Sequence, residues 1–139
     1  MGVRNLLIQM GSERFSAVLH EDRAPKTCNS IIERLPINGK IIHARWSGEA
    51  MWLTLANQPI NLDYENQTCY PSKGELLFYP GFVSEKELLI PYGSSRFASR
   101  SGVLAGNHFA TISEGLDRLA KVGKSVLWEG AKDISIRVS

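Results

Sequence analysis

Arg14-Phe15-Ser16-Ala17-Val18-Leu19-His20-Glu21-Asp22-Arg23-Ala24-Pro25-Lys26-Thr27-Cys28-Asn29, with Asn38-Gly39-Lys40-Ile41-Ile42-His43-Ala44-Arg45 close behind, decides how the chain folds. Phe15 to His20 is rich in β-formers and reads as a hairpin with the apolar run Val3 to Met10 across Gly11-Ser12-Glu13. Asp22, Pro25 and Thr27 are start signals for a helix, and Cys28, Ile31, Ile32 and Leu35 follow at helical spacing until Pro36 and Asn38-Gly39 stop it. From Lys40 to Trp46 the chain alternates. Ile42, Ala44 and Trp46 fall on one face and Ile41, His43 and Arg45 on the other, which is expected to point outward.

Ser47-Gly48 turns this strand into a partner, Glu49 to Leu55, and Ala56 to Ser72 is patternless enough to predict an irregular surface loop of the kind that often serves a site. Gly74 to Tyr79 and Glu87 to Tyr92 are two more strands about a Pro80-Gly81 turn, and a Gly/Ser-rich segment from Gly93 to Gly106 leads into a strand from His108 to Ile112. Glu114 to Val122 carries the Leu116, Leu119, Ala120 stripe of a second helix, stopped by Gly123, and Ile134, Ile136 and Val138 form a last strand. About eight strands at hairpin-like intervals with two short helices predict a mainly β fold, a closed antiparallel barrel, because closure removes unpaired strand edges.

The 139 residues are expected to form one domain spanning 1–139, large enough for one core without staples. Sixteen basic and fourteen acidic residues are interspersed for a formal charge of +2, which argues against nucleic acid as a partner, since counterion-driven affinity needs clustered cations. Cys28 and Cys69 lack metal-ligand spacing and are expected to be reduced, and neither a metal nor a cofactor is implied. The amino-terminal run is too short and polar for a signal peptide and nothing approaches a membrane span, so a cytoplasmic protein with no membrane partner is expected.

Phe15 to Arg45 resembles the opening of the cyclophilins, with Ala24-Pro25-Lys26-Thr27 at the helix start, and Ala105 to Ile112 resembles that family's Asn-Gly-Ser-Gln-Phe-Phe-Ile strand more faintly. The family's His-Arg pair is His-Ala-Arg here, and Trp46-Ser47-Gly48-Glu49-Ala50-Met51-Trp52 stands where cyclophilins line a proline pocket. Only Arg45 carries over as the electrostatic residue. Trp46-Ser47-Gly48-Glu49, Gly74-Glu75-Leu76-Leu77-Phe78-Tyr79-Pro80-Gly81 and Pro91-Tyr92-Gly93 are more similar to bacterial and archaeal cyclophilin-like proteins of unknown function, which keep the barrel and lose the isomerase pocket. This resemblance implies a cyclophilin-like barrel with helices over its ends, and no established reaction.

His43 and Arg45 sit two apart, so a guanidinium beside an imidazole could grip a carboxylate or polarise an amide; equally, Arg45 could form a surface ion pair with Glu49 across the turn. Arg96 lies among small residues whose amides could form an anion nest, or it is simply solvated. Asn107 and His108 begin a strand near the expected groove, with a satisfied structural His as the ordinary alternative. Trp46, Trp52, Tyr79, Tyr92, Phe97 and Trp128 are mostly expected in the core; Trp128, following a loop, could wall a pocket, and Tyr92 is counted with it among the ligand-binding candidates.

The function expected is binding of a small anionic ligand, a carboxylate or amide, in a groove near Arg45 where it meets the Gly93–Gly106 segment. The alternatives are a weak peptidyl-prolyl isomerase and a non-catalytic homo-oligomeric scaffold that a large exposed patch would reveal.

Overall fold

The computed structural model describes residues 4–139, so Val3, expected to open the first strand, lies outside the described residues. The elements are β1 (Asn5–Met10), β2 (Glu13–Leu19), α1 (Pro25–Glu33), β3 (Ile37–His43), β4 (Gly48–Thr54), β5 (Gln67–Thr68), β6 (Glu75–Tyr79), β7 (Glu87–Ser95), β8 (Ala98–Ser99), β9 (Gly102–Val103), β10 (Gly106–Glu114), α2 (Leu116–Glu129) and β11 (Lys132–Val138). Eight strands run β2-β1-β11-β3-β4-β7-β6-β10, and β10 pairs back onto β2, closing an all-antiparallel barrel. The short β5 extends β10, and β8 and β9 form a separate small hairpin.

Alternation sorts each strand between two apolar clusters. Met51 and Leu53 of β4, Leu88, Ile90 and Tyr92 of β7, and Leu76 and Phe78 of β6 point into the barrel and join the main core. Their neighbours Ala50, Trp52, Leu89, Leu77 and Tyr79 point outward, where Phe97 and Leu104 from the segment around the β8–β9 hairpin cover them as a second, smaller cluster. Phe97 meets Tyr79 edge to face, with ring centroids 5.8 Å apart. The outer wall at β4, β7 and β6 is therefore apolar as well, which a barrel in water allows only where something packs on it.

Three expectations are corrected. In β3, Ile41 is fully buried in the core while Ile42 is 37% exposed, so the Ile41/His43 side faces inward, opposite to the expected sense. The strand also begins earlier, at Ile37, and includes Asn38 and Gly39, because β11 pairs along this whole segment and Gly39 brings its bare Cα close to Leu53. The second helix does not stop at Gly123 but runs to Glu129. There the missing side chain serves packing: a Cβ on Gly123 would lie 2.2 Å from Tyr92 Cδ2. Trp128 accordingly sits in the last turn of α2 rather than after a loop, and is 82% exposed.

The helices bury one face each. Cys28 and Ile31 of α1, and Leu119, Val122 and Val126 of α2, enter the main core, with α2 lying on β2, β3, β4 and β7 and α1 on β10. Pro25 occupies the first turn of α1, and the Thr27 N–H donates to Glu65 Oε1 at 2.6 Å, so the loop from Ala56 to Ser72 satisfies a helix-start donor. No helix is long and apolar enough to cross a membrane.

Gly123→Ala should be destabilising by about 1–3 kcal/mol through overpacking against Tyr92, although alanine is the better helix former. Urea unfolding monitored by circular dichroism measures it; an unchanged or higher midpoint would show that the ring yields without cost.

Candidate functional site

A cleft of about 450 Å³ opens on the outer wall, floored by Ile42, Ala44, Trp52 and Leu89 and bounded by the turn after β3, the β8–β9 hairpin and residues 84–87. It exists because of an irregularity between β4 and β7. Pairing runs evenly from Thr54↔Glu87 to Ala50↔Pro91, then jumps to Gly48↔Ser95, so β7 carries extra residues that swing the following chain out over the wall. Glu49 holds the jump by accepting the Ser94 N–H at 2.9 Å, while Ser95 Oγ donates to the Glu49 carbonyl at 2.9 Å. Gly48 takes φ +82°, and a Cβ there would meet the Ser94 carbonyl oxygen at 2.7 Å. Buried Ser47 then stitches turn to hairpin: its hydroxyl donates to the Ala98 carbonyl at 3.0 Å and accepts the Ala98 N–H at 3.1 Å.

Two guanidinium-bearing residues, Arg45 on the turn and Arg100 at the hairpin tip, line the cleft. Among the described residues neither has an ion-pair partner within 4.0 Å. Trp46, 57% exposed, also lines the cleft, and Trp52 forms part of the floor. Glu87 lines the other end of the cleft. Burial, and then the neighbouring carboxylate of Glu85, push its carboxyl up to about 8.

His43 contributes to the lining, but its ring is engaged on the inward side. Nδ1 lies 2.7 Å from the Ala44 carbonyl oxygen, which can only accept, so Nδ1 carries the hydrogen. Nε2 of that tautomer accepts from the Tyr92 hydroxyl at 2.8 Å. Tyr92 thus supports the cleft from behind, flat against Gly123 on one side and bonded to His43 on the other. The strand ends at His43, and Arg45 lies in the turn beyond it.

Of the residues singled out by sequence, His43 and Arg45 meet in the cleft, and Glu49 and Tyr92 brace it. The remaining four lie elsewhere. Arg96 is exposed outside the lining and donates its backbone N–H to the Ser47 carbonyl at 3.2 Å. Asn107 is fully buried, its amide accepting from the Glu65 N–H and donating to Thr27 Oγ1 and the Asp63 carbonyl, which pins the long loop. None of residues 56–72 lines the cleft. The ring of His108 shares the Thr111 hydroxyl with His20, at 2.8 and 2.7 Å, and burial moves its pKa down. Trp128 is solvated on α2. Glu87, Arg100 and the two cleft tryptophans were not among those residues. The outward parity of Trp52 with Leu89, and of Glu87 with Leu89, is the signal that could have found Trp52 and Glu87.

Cys28 and Cys69 are free, and the buried Cys28 thiol, desolvated first and foremost, is pushed up to about 12. Among the described residues no three His, Cys, Asp or Glu side chains gather as a metal site.

Fold and site together define an eight-stranded antiparallel β-barrel with a ligand-sized cleft on its outer wall. The chain belongs to a family described as Protein of unknown function (DUF3830), whose model matches residues 6–138. No curated protein matches it. Two solved structures share the fold: McbB in complex with tryptophan, at 19% identity and TM-score 0.74 over 95% of this chain, and the hypothetical protein AF2241 from Archaeoglobus fulgidus, at 17% identity and TM-score 0.68 over 99%. The chain spans 44% of the length of McbB and 95% of that of AF2241.

The Glu87 shift carries a sign. A carboxyl whose folded pKa is raised stabilises the fold most below its unfolded value, and that contribution is lost as pH rises through about 8. Glu87→Gln should therefore unfold at a higher temperature than wild type near pH 9, and the gain should shrink toward pH 4. Equal differences at both pH values would place the Glu87 carboxyl in water.

Proposed function

We propose that this is a cyclophilin-like barrel serving as a binding module, and that its outer cleft takes a small organic anion with a flat apolar body. The observation that carries this is the pair Arg45 and Arg100, without ion-pair partners among the described residues, on the edge of a floor made by Trp52, Leu89 and Ile42. Guanidinium groups bind carboxylates through paired, charge-assisted hydrogen bonds, and the apolar floor removes a ring from water. A cleft of about 450 Å³ falls in the range that holds metabolite-sized ligands. The neighbour McbB has been solved with tryptophan, an α-amino acid that combines a carboxylate with a flat aromatic ring, and those two features are the ones proposed for this ligand.

Calorimetry with a panel of aryl carboxylates, alongside intrinsic tryptophan fluorescence, to which Trp46 and Trp52 of the cleft contribute, tests the proposal. Arg45→Ala and Arg100→Ala should each weaken binding about tenfold or more, as expected for a lost charged hydrogen bond. Identical affinities in all three proteins would refute it. A protease-coupled proline-peptide assay should show no rate acceleration, because the turn after Arg45 supplies Trp46-Ser47-Gly48-Glu49 in place of a proline pocket; acceleration abolished by Arg45→Ala would instead make the protein an isomerase.

A further inference from the structure

An anion accounts for only one end of the cleft. Along the β4–β7 ladder, Thr54↔Glu87 marks one end, Trp52↔Leu89 the middle and Ala50↔Pro91 the approach to the arginine-bearing turn and hairpin. At about 3.4 Å per residue, Glu87 stands about 14 Å along the sheet from Pro91. The cleft is thus long, apolar in its middle, and opposite in charge type at its two ends.

Among the described residues, the surroundings of Glu87 contain no cation paired with it. Its neighbours on the outer face are Leu89 on its own strand, Thr54 across the β4 ladder and Tyr79 across the β6 ladder, whose hydroxyl is occupied in accepting the Val83 N–H. Glu85 lies before it with Oε2 accepting from Thr54 Oγ1 at 3.0 Å, a second acid rather than a counter-ion. Lys86 is turned away, its Nζ donating to the Gln58 and Ile60 carbonyls at 2.5 and 3.1 Å. Of the other basic groups on the lining, His43 is bonded to Tyr92, and Arg45 and Arg100 form no ion pair with either acid. Among the described residues no Lys, Arg or His nitrogen comes within 4.0 Å of either carboxyl.

We propose that the ligand is an elongated zwitterion, with its carboxylate at Arg45 and Arg100, an apolar segment across Trp52, and a protonated amine received by Glu87. This rests on reading the cleft as an anion site. A half-buried carboxyl without a partner keeps its proton, because the charged form is poorly solvated. An ammonium group placed against it reverses that balance: the carboxyl ionises, the proton leaves to solvent, and a charge-assisted hydrogen bond forms. The two charges of an α-amino acid sit on adjacent carbons and cannot span the floor. The class that fits has amine and carboxylate at opposite ends, as ω-amino acids and short peptides do.

The test compares para-aminoethylbenzoate with para-propylbenzoate, the isostere that keeps the carboxylate and lacks the ammonium, by calorimetry on the full chain. Wild type should bind the amine about tenfold more tightly near pH 8, with proton release visible as a dependence of the heat on buffer ionisation enthalpy, and the preference should fall toward pH 6 as Glu87 holds its proton. In Glu87→Gln, a near-isostere of the neutral acid, the two affinities should converge; phenylalanine should gain nothing from its amine in either protein. Equal binding of the two benzoates by wild type, or a preference that survives Glu87→Gln, overturns the inference and leaves the anion site standing. Failure of both benzoates to bind removes the anion site as well.

Discussion

The register of β4 against β7 is the constraint on which the rest depends. With Trp52 opposite Leu89, the residues between them, Met51 and Leu53 on one strand and Leu88 and Ile90 on the other, all face the barrel interior. A slip of one residue would exchange these sets, moving the core onto the surface and the floor of the cleft into the core. Barrel closure through β2 and β10 enforces this choice, since each of the eight barrel strands is paired on both sides and none is an edge free to shift. The cleft is thus the outer face of the same strand pair that anchors the core.

The jump in pairing beyond Ala50 turns that face into a site. It lifts the chain after β7 off the wall, Phe97 drops back onto Tyr79, and Ser47 ties the returning hairpin to the turn that bears Arg45. Tyr79 does a second job: its hydroxyl oxygen accepts the Val83 N–H at 2.7 Å, which fixes the loop leading to Ser84 and Glu85 at the far end of the cleft. From behind, Tyr92 links the turn to α2 through His43 and Gly123. The mouth of the cleft is built of short, mutually braced segments on a rigid sheet, an arrangement suited to holding a ligand without a large rearrangement.

Much of this was readable in the residues. The first hairpin, the Pro25 helix, the period-two strands and barrel closure follow from patterning that water enforces. The sense of β3 did not, because Ile41 and Ile42 are equally apolar and alternation alone cannot say which enters the core when the outer wall is also covered. Gly123 reads as a stop signal by its backbone freedom, while its role in the fold is to leave room for a ring from β7, a contact between residues thirty-one apart in sequence that no local pattern carries. Glu87 was hidden at the head of the apolar run Glu87-Leu88-Leu89-Ile90, where a charge looks like an exposed strand end. Trp46 and Trp52 were hidden by the sound rule that aromatics make cores; here one floors a second cluster outside the barrel and the other is open to water.

A crystal structure of the protein soaked with an aryl carboxylate tests the central claim most directly. The account predicts density for the ring against Trp52 and Leu89, with the carboxylate turned toward Arg45 and Arg100. Density confined to another surface, or a carboxylate turned toward Glu87, would contradict it.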